Sequence, residues 1–362
     1  MKAIIFAGGV GTRLWPLSRK KSPKQFEKII NGQSTLQLAV DRLLPKFKPE
    51  DIFISTGAQY VDSAAKQLDF IPKANIIGEP VRKDVGPAVA FIMGYLAKKY
   101  GPDEPVFISW SDHLVKQIDK FQHILTVAEK AVKEKGSKIV FVGQKPRFAS
   151  VNLGYIQFGK AIAKINNTNL YAFVGFKYKP NKQTAEHYLK DNKYSWNLGY
   201  FVTTPKFILA AFEQFIPSIY GLNQKIIAAI DKHNFKQIFK HNYNLMPLIN
   251  FDNAILEQID KNDAVVIVED IGWSDVGAWE ALKEALQEGK SDNITSGLVL
   301  LEDSHDNLVY NYKERQLIVG IDLEDMLIVN ANDVLLVTKK SSVSKIKNLV
   351  ESFQGTEHEK LT

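Results

Sequence analysis

Short apolar runs alternate with amphipathic stretches through the first two thirds of the chain. KAIIFA (2–7), DIFIST (51–56), ANIIGE (74–79), PVFISW (105–110) and KIVFVG (138–143) are rich in β-branched and aromatic residues, as strands buried on both faces are. Between them LQLAVDRLLPKF, VDSAAKQL, PAVAFIMGYLAKKY and FQHILTVAEKAVKEK carry apolar residues three and four apart, which predicts helices. Alternation of this kind predicts a parallel sheet covered by helices on both faces, with ligands beyond the carboxyl ends of the strands.

From Tyr155 the pattern mixes. GYIQFG, LYAFVGFKY, GYFVTT and VVIVED (265–270) read as strands, with helical stretches near 205–232 and 252–260. Past Ser291, GLVLLE, NLVYNY, QLIVGI, MLIVNA and VLLVTK follow one another with Asp/Asn turns and no helix between them. That spacing predicts a small all-β appendage of the parallel β-helix kind, closed by a last helix at VSKIKNLVESF. The expected organisation is one large domain over 1–290 and a small β-rich domain over 291–362.

The 362 residues, 45% hydrophobic and 11% aromatic, suffice for a sizeable core. The formal charge of +6 comes from scattered lysines without a block of like charge, which favours a solvated surface or a cleft for small polyanions over a polynucleotide groove. No cysteine is present, so disulfides and thiolate metal sites are excluded. The first residues read as a buried strand rather than a signal peptide, and no apolar run has spanning length. A soluble, cytoplasmic protein is expected.

The first strand runs from Ala7 into GGVGTRLWPLSRKKSPKQF, where Gly8, Gly9 and Gly11 precede Arg13 and Lys24. Glycines at such a turn let backbone N–H groups wrap an anion. Neither the dinucleotide fingerprint nor the P-loop fits, because no third glycine and no Gly-Lys-Ser/Thr follow. A tight turn with two surface cations explains Arg13 or Lys24 singly. Both on one proline-stiffened loop suit a polyphosphate, Arg13 as a planar fork and Lys24 as a point charge. Two carboxylates, Asp112 after the fourth strand and Asp275 after VVIVED, have the chemistry to hold a hard cation. Each also reads as a cap or turn residue. His113 reads as a strand-end histidine, Trp273 as a packing indole and Lys179 as a surface cation.

AGGVGTRLWPLSRKKSPKQF resembles the signature of nucleotidyltransferases that make nucleotide sugars, and more narrowly the mannose-1-phosphate guanylyltransferase family. The likeness continues through EPVRKDVGPAVA (79–90), SDH (111–113), LGYIQFG (153–159), WNLGYF (196–201), FDNAILE (251–257), GWSDVGAWEAL (272–282) and VGIDLEDMLIVNANDVLLV. It implies a Rossmann-like α/β, GT-A-like domain with a mixed sheet and a left-handed β-helix-like C-terminal domain. It does not extend to the cupin-like isomerase domain of bifunctional members, so a single-activity version is expected. The implied reaction is attack by a hexose 1-phosphate, mannose 1-phosphate foremost, on the α-phosphorus of GTP with release of pyrophosphate. The nucleophile is already an anion, so catalysis needs positioning and charge neutralisation rather than a general base.

By the same resemblance, Arg13 and Lys24 are catalytic, and Asp112 and Asp275 hold Mg²⁺. Nucleotide contacts fall on Ala7, Gly8, Gly9, Gly11, Thr12, Arg13, Lys24, Glu79, Pro87, Ala88 and Asp112. Sugar contacts fall on Gly154, Tyr155, Asn197 and Asp275. The chain departs from the family pattern at three places. Phe-x-Glu-Lys-Pro becomes Phe176-Lys177-Tyr178-Lys179-Pro180, Arg-Asn/Asp-Thr-Ala-Pro becomes Lys83-Asp84-Val85-Gly86-Pro87, and Trp-Asn-Ser-Gly becomes Trp196-Asn197-Leu198-Gly199. The departures cluster in the sugar pocket and spare the phosphate machinery. Two alternatives therefore stand beside the leading reading: a transferase for another hexose 1-phosphate or base, and a non-catalytic nucleotide-sugar-binding regulatory subunit. The exposed edges of the tail strands make a homo-oligomer, a dimer, the expected assembly.

Overall fold

The computed structural model of the protein describes residues 1–362 apart from 10, 21, 178 and 332, and apart from the side chains of Thr12 and Lys135. The chain packs as two compact units. One comprises Met1–Ala7, Val40–Trp110 and Lys116–Ile271; the other comprises Gly8–Ala39, Ser111–Val115 and Gly272–Thr362. The grouping by contact differs from the grouping by sequence texture: the β-rich tail shares its unit with the glycine loop and with the SDH segment.

The first unit is built on a nine-stranded sheet. Its strands are β1 (Lys2–Ala7), β2 (Ile52–Gly57), β3 (Ile76–Glu79), β4 (Val106–Trp110), β5 (Ile139–Gln144), β6 (Tyr155–Ile165), β7 (Thr168–Lys177), β8 (Tyr194–Thr203) and β9 (Ala264–Glu269). Their order is β3-β2-β1-β4-β8-β5-β9-β7-β6. The pairs β3/β2, β2/β1, β1/β4 and β5/β9 are parallel, as the apolar runs predict. The sheet as a whole is mixed, as the family resemblance implies, where the apolar runs alone pointed to a parallel one. β8 runs antiparallel between β4 and β5, and β6 and β7 form a hairpin. The hairpin turns at Asn166 and Asn167, whose φ values of 46° and 67° are those that asparagine tolerates in a tight primed turn.

Helix Val85–Tyr100 packs on this sheet, burying Ala88, Val89, Phe91, Ile92 and Leu96. Its start is fixed by Asp84, whose carboxylate accepts from the Val85 N–H at 2.7 Å. The long helical stretch expected over 205–232 is broken into Pro205–Phe215 and Pro217–Ile227, because Pro217 cannot continue a helix. Two helices escaped the sequence reading, Lys182–Lys190 and Phe235–Leu245.

The second unit gathers three pieces of chain around Leu14, Trp15, Trp279, Leu308, Tyr310, Leu327 and Ile346. Trp279 donates its indole N–H to the Trp15 carbonyl at 3.0 Å, and Trp15 donates its own to the Leu361 carbonyl at 2.8 Å. In the tail, Ile294–Ser296, Leu308–Asn311 and Met326–Asn330 stack in parallel, as do Val299–Glu302 and Ile318–Ile321. A further parallel bridge joins His305 to Glu324. The chain therefore coils, returning each face onto itself, until Leu335–Lys339 closes the stack antiparallel. The corners use Asp303 and Asp306, then Asp322 and Asp325, all with positive φ. Buried asparagines satisfy the backbone at the bends: Asn307 donates to the Leu323 carbonyl at 2.8 Å and Asn311 to the Leu298 carbonyl at 2.9 Å.

Candidate active site

The residues expected at the phosphates and the metal all fall in the second unit. The glycine loop leaves β1 and tightens at Gly11, whose carbonyl accepts from the Leu14 N–H at 3.1 Å. Gly11 has φ +69°, and a Cβ there would stand 2.6 Å from Cδ of Lys24. Only glycine lets the loop lie against that side chain. Lys24 follows Pro23, is 7% exposed, and reaches Asp112 with Nζ 2.7 Å from Oδ2. Burial pushes the Asp112 carboxyl up, but the Lys24 ammonium and His113 outweigh it and hold the group well below the usual carboxylate range. Thr12 lies in the short turn Thr12–Leu14, and its side chain is outside the described residues.

Asp275 ends the strand Trp273–Asp275, which pairs antiparallel with His113–Val115 so that Asp275 faces His113. The next residue, Val276, donates its N–H to the Asp112 carbonyl at 3.2 Å. Two carboxylates far apart in sequence thus end up on adjoining segments. A Cβ on Gly277 would stand 2.8 Å from Oδ1 of Asp275 and 3.0 Å from Nη2 of Arg13. Both the Asp275 carboxylate and the Arg13 guanidinium thus lie against Gly277. Arg13 also faces Glu280, whose carboxyl burial raises while the guanidinium lowers it. His113 sits edge-on against Trp273, ring centroids 5.0 Å apart, with Nε2 3.9 Å from Oδ1 of Asp112.

Among the described residues no three His, Cys, Asp or Glu side chains converge as a metal cage. What the unit offers is two carboxylates beside two cations. That donor set suits a hard divalent cation that completes its shell with phosphate oxygens and water, and does not suit a closed four-ligand site.

The residues expected at the base, and those expected at the sugar other than Asp275, lie in the first unit. Glu79 ends β3, and both its oxygens are engaged: Ser55 donates its hydroxyl to Oε1 at 2.9 Å and Tyr243 donates to Oε2 at 2.8 Å. Ala7 is buried at the end of β1, its carbonyl accepting from the Thr56 hydroxyl at 2.7 Å. Pro87 and Ala88 lie buried in the first turn of the helix Val85–Tyr100. Beside them Gly86 donates its N–H to the Ile249 carbonyl at 3.0 Å, and a Cβ there would stand 2.8 Å from that oxygen. The departure to glycine at this position has that steric cause.

Gly154 and Asn197 are brought together, the Asn197 N–H donating to the Gly154 carbonyl at 2.8 Å. The Asn197 amide oxygen accepts from the Gly199 N–H at 2.9 Å. Beside Asn197 lies Asp252 of FDNAILE, a residue whose role does not show in the sequence. Burial, with the charges of Glu257 and Asp84, pushes the Asp252 carboxyl up to about 6. Tyr155 is corrected as a sugar contact through its side chain. It is fully buried, its hydroxyl accepts from the Ser150 N–H and donates to the Ser150 carbonyl, both at 3.0 Å, and its ring packs on Tyr188. Of the departures, Leu198 is buried at an irregularity between Asn197 and Tyr200 in β8, Val85 opens its helix, and Tyr178 lies outside the described residues.

A family model described as nucleotidyl transferase matches residues 2–291. This chain belongs to the nucleotidyl transferase family. Mannose-1-phosphate guanylyltransferase 2 of Escherichia coli O157:H7 is 33% identical to this transferase over 97% of the chain and 73% of its own length. A mannose-1-phosphate guanylyltransferase of Salmonella muenchen is 32% identical, covering 99% of the chain and 75% of its own. A solved structure described as mannose-1-phosphate geranyltransferase from Thermus thermophilus superposes with a TM-score of 0.86 at 24% identity, over 98% of this chain and 99% of that one. It shows the fold: a Rossmann-like α/β nucleotidyltransferase with further β-rich sheets at the C-terminus. Nucleotidyltransferases of this family generally use a divalent metal, and no helix among the described residues is long and apolar enough to cross a membrane.

Proposed function

We propose that this transferase forms GDP-mannose and pyrophosphate from GTP and mannose 1-phosphate. The observation that carries the reading is the grouping, within one compact unit, of Lys24 on Asp112 and of Arg13 beside Asp275. Two cations and two carboxylates are what a reaction between two polyanions needs. In the reaction a phosphate oxygen of the sugar 1-phosphate bonds to the α-phosphorus, the bond from that phosphorus to the bridging oxygen breaks, and pyrophosphate leaves with the electron pair. Arg13 grips phosphate oxygens as a fork, Lys24 neutralises charge that grows on the leaving group, and the amides of Gly8, Gly9 and Gly11 cradle the chain. Asp112 and Asp275 would hold Mg²⁺, which supplies Lewis-acid stabilisation of the phosphoryl oxygens when bound. Glu79, with Pro87 and Ala88, reads the base; Gly154, Asn197 and Asp275 meet the sugar.

Three finer readings accompany it. Parallel coils with asparagine-lined bends support a β-helix in the tail over 291–362, left-handed as the family resemblance implies. Exposed Leu300, Val319 and Ile321 on its two-stranded sheet support pairing with a second copy of the chain as a dimer. Charged nucleotide and sugar-phosphate substrates point to the cytoplasm.

The test is pyrophosphate release with Mg²⁺ across the four nucleoside triphosphates and several hexose 1-phosphates. Turnover is expected with GTP and mannose 1-phosphate. Turnover confined to another pair overturns the specificity, and nucleotide binding without turnover on any pair overturns the enzyme reading.

A further inference from the structure

Glu79 poses a problem of valence. A carboxylate at a strand end that is to read a base needs free acceptor sites, yet each of its oxygens already takes one hydroxyl proton. Ionised, it has about four lone-pair sites, so one remains on each oxygen. The donors come from distant parts of the fold. Ser55 lies on β2, beside β3, and is 2% exposed; Tyr243 lies on the helix Phe235–Leu245 and is fully buried, its ring edge-on to Phe239. Neither hydroxyl is exposed enough to meet substrate itself.

On balance the Glu79 carboxyl lies above its ordinary value: burial raises it, and the hydroxyl bonds from Tyr243 and Ser55 oppose the rise. The distinction matters for base choice. An ionised carboxylate accepts on both oxygens, matching the adjacent N1–H and N2–H₂ donors of guanine. A protonated one presents donor beside acceptor, matching the N1 acceptor and N6–H₂ donor of adenine. Hypoxanthine offers only the N1–H.

We propose that Ser55 and Tyr243 are positioning residues that orient the Glu79 carboxylate and keep it a two-oxygen acceptor, and so set the preference for guanine over adenine. The proposal rests on Glu79 reading the base, as put forward above. The pair acts only through Glu79, so its signature is a change in base discrimination and in KM for nucleotide, with kcat retained.

The test compares kcat and KM for GTP, ITP and ATP, with mannose 1-phosphate and Mg²⁺, in the natural protein and in Tyr243→Phe, Ser55→Ala and Glu79→Gln. Tyr243→Phe keeps the packed ring, and a thermal melt of each variant checks that it folds. In Tyr243→Phe the GTP-to-ATP ratio of kcat/KM is expected to fall about tenfold or more, through KM, with Ser55→Ala moving the same way. Glu79→Gln should lose the preference altogether. A ratio unchanged in both hydroxyl variants but lost in Glu79→Gln overturns the positioning role and leaves Glu79 as the base reader. A ratio unchanged in Glu79→Gln overturns the reading of the base as well. Equal loss of kcat with all three nucleotides in the hydroxyl variants would make their role merely structural and overturn the proposal. Should Tyr243→Phe not fold, Ser55→Ala decides alone.

Discussion

Gly11→Ala tests whether the glycine loop works by making room for Lys24. The substitution has two costs. At φ +69° an alanine is strained by about 1–2 kcal/mol. The new Cβ would also lie 2.6 Å from Cδ and 2.8 Å from Cγ of Lys24, inside any real contact distance. Lys24 is 7% exposed, so its stem has little room to give, and its ammonium must leave the 2.7 Å contact with Asp112. If that ammonium stabilises charge in the transition state, its displacement costs about 10²–10³ in kcat, the scale of losing one preorganised donor. A double-mutant cycle separates the two costs. Lys24→Ala should lose a similar factor. The double variant should be about as slow as Lys24→Ala, because the group that Gly11 accommodates is already gone. That amounts to a coupling of about 3–4 kcal/mol, read from pyrophosphate release. Thermal melts should show the backbone strain in both Gly11→Ala proteins. Multiplication of the two losses in the double variant would refute the reasoning, and would place the action of Gly11 in its own backbone.

Asp112→Asn should lower kcat by at least about 10²-fold, because an amide is a poorer ligand for a hard cation and a weaker partner for Lys24; near-normal turnover would remove Asp112 from the metal site. A chelator should abolish turnover while moving the melting temperature by no more than a degree or two, since two carboxylates alone make too sparse a cage to hold the fold together. Gly86→Ala restores the family's usual residue yet should destabilise by about 1–3 kcal/mol, because its Cβ would stand 2.8 Å from the Ile249 carbonyl; a melt unchanged by the substitution contradicts the steric account. Asp252→Asn should alter stability with pH: the natural carboxyl titrates near 6 folded and near 3.8 unfolded, so its burial penalty is absent below about pH 4 and complete above about pH 6. The variant should match the natural protein at the acid end and gain up to about 3 kcal/mol above pH 6, and a pH-independent difference would place the cause elsewhere.

What could be read from the chain and what could not divide along one physical line. Elements whose apolar residues recur at a fixed period, such as KIVFVG or PAVAFIMGYLAKKY, declared themselves, because each buries one face or both against neighbours of the same kind. FKQIFKHNYNL did not: its buried residues are Phe239, Asn242 and Tyr243, too polar a face to stand out. That is the helix carrying the hydroxyl that holds Glu79. The reversal of β8 was invisible for a related reason, since an apolar strand looks the same in either direction. At the site, each of Arg13, Lys24, Asp112 and Asp275 stood out within its own motif, but no spacing in the chain joins Lys24 to Asp112 or Arg13 to Asp275. The two glycines show how the joining is done. Gly11 and Gly277 are not spacers for ligand alone; each is the missing Cβ beside which a long cation passes towards a carboxylate. A sequence can mark such a position as glycine, while the reason lies in a side chain that only the fold brings near. Legibility therefore fails first at pairings between motifs, because only the fold sets Lys24 on Asp112 and brings Arg13 and Asp275 against the same glycine.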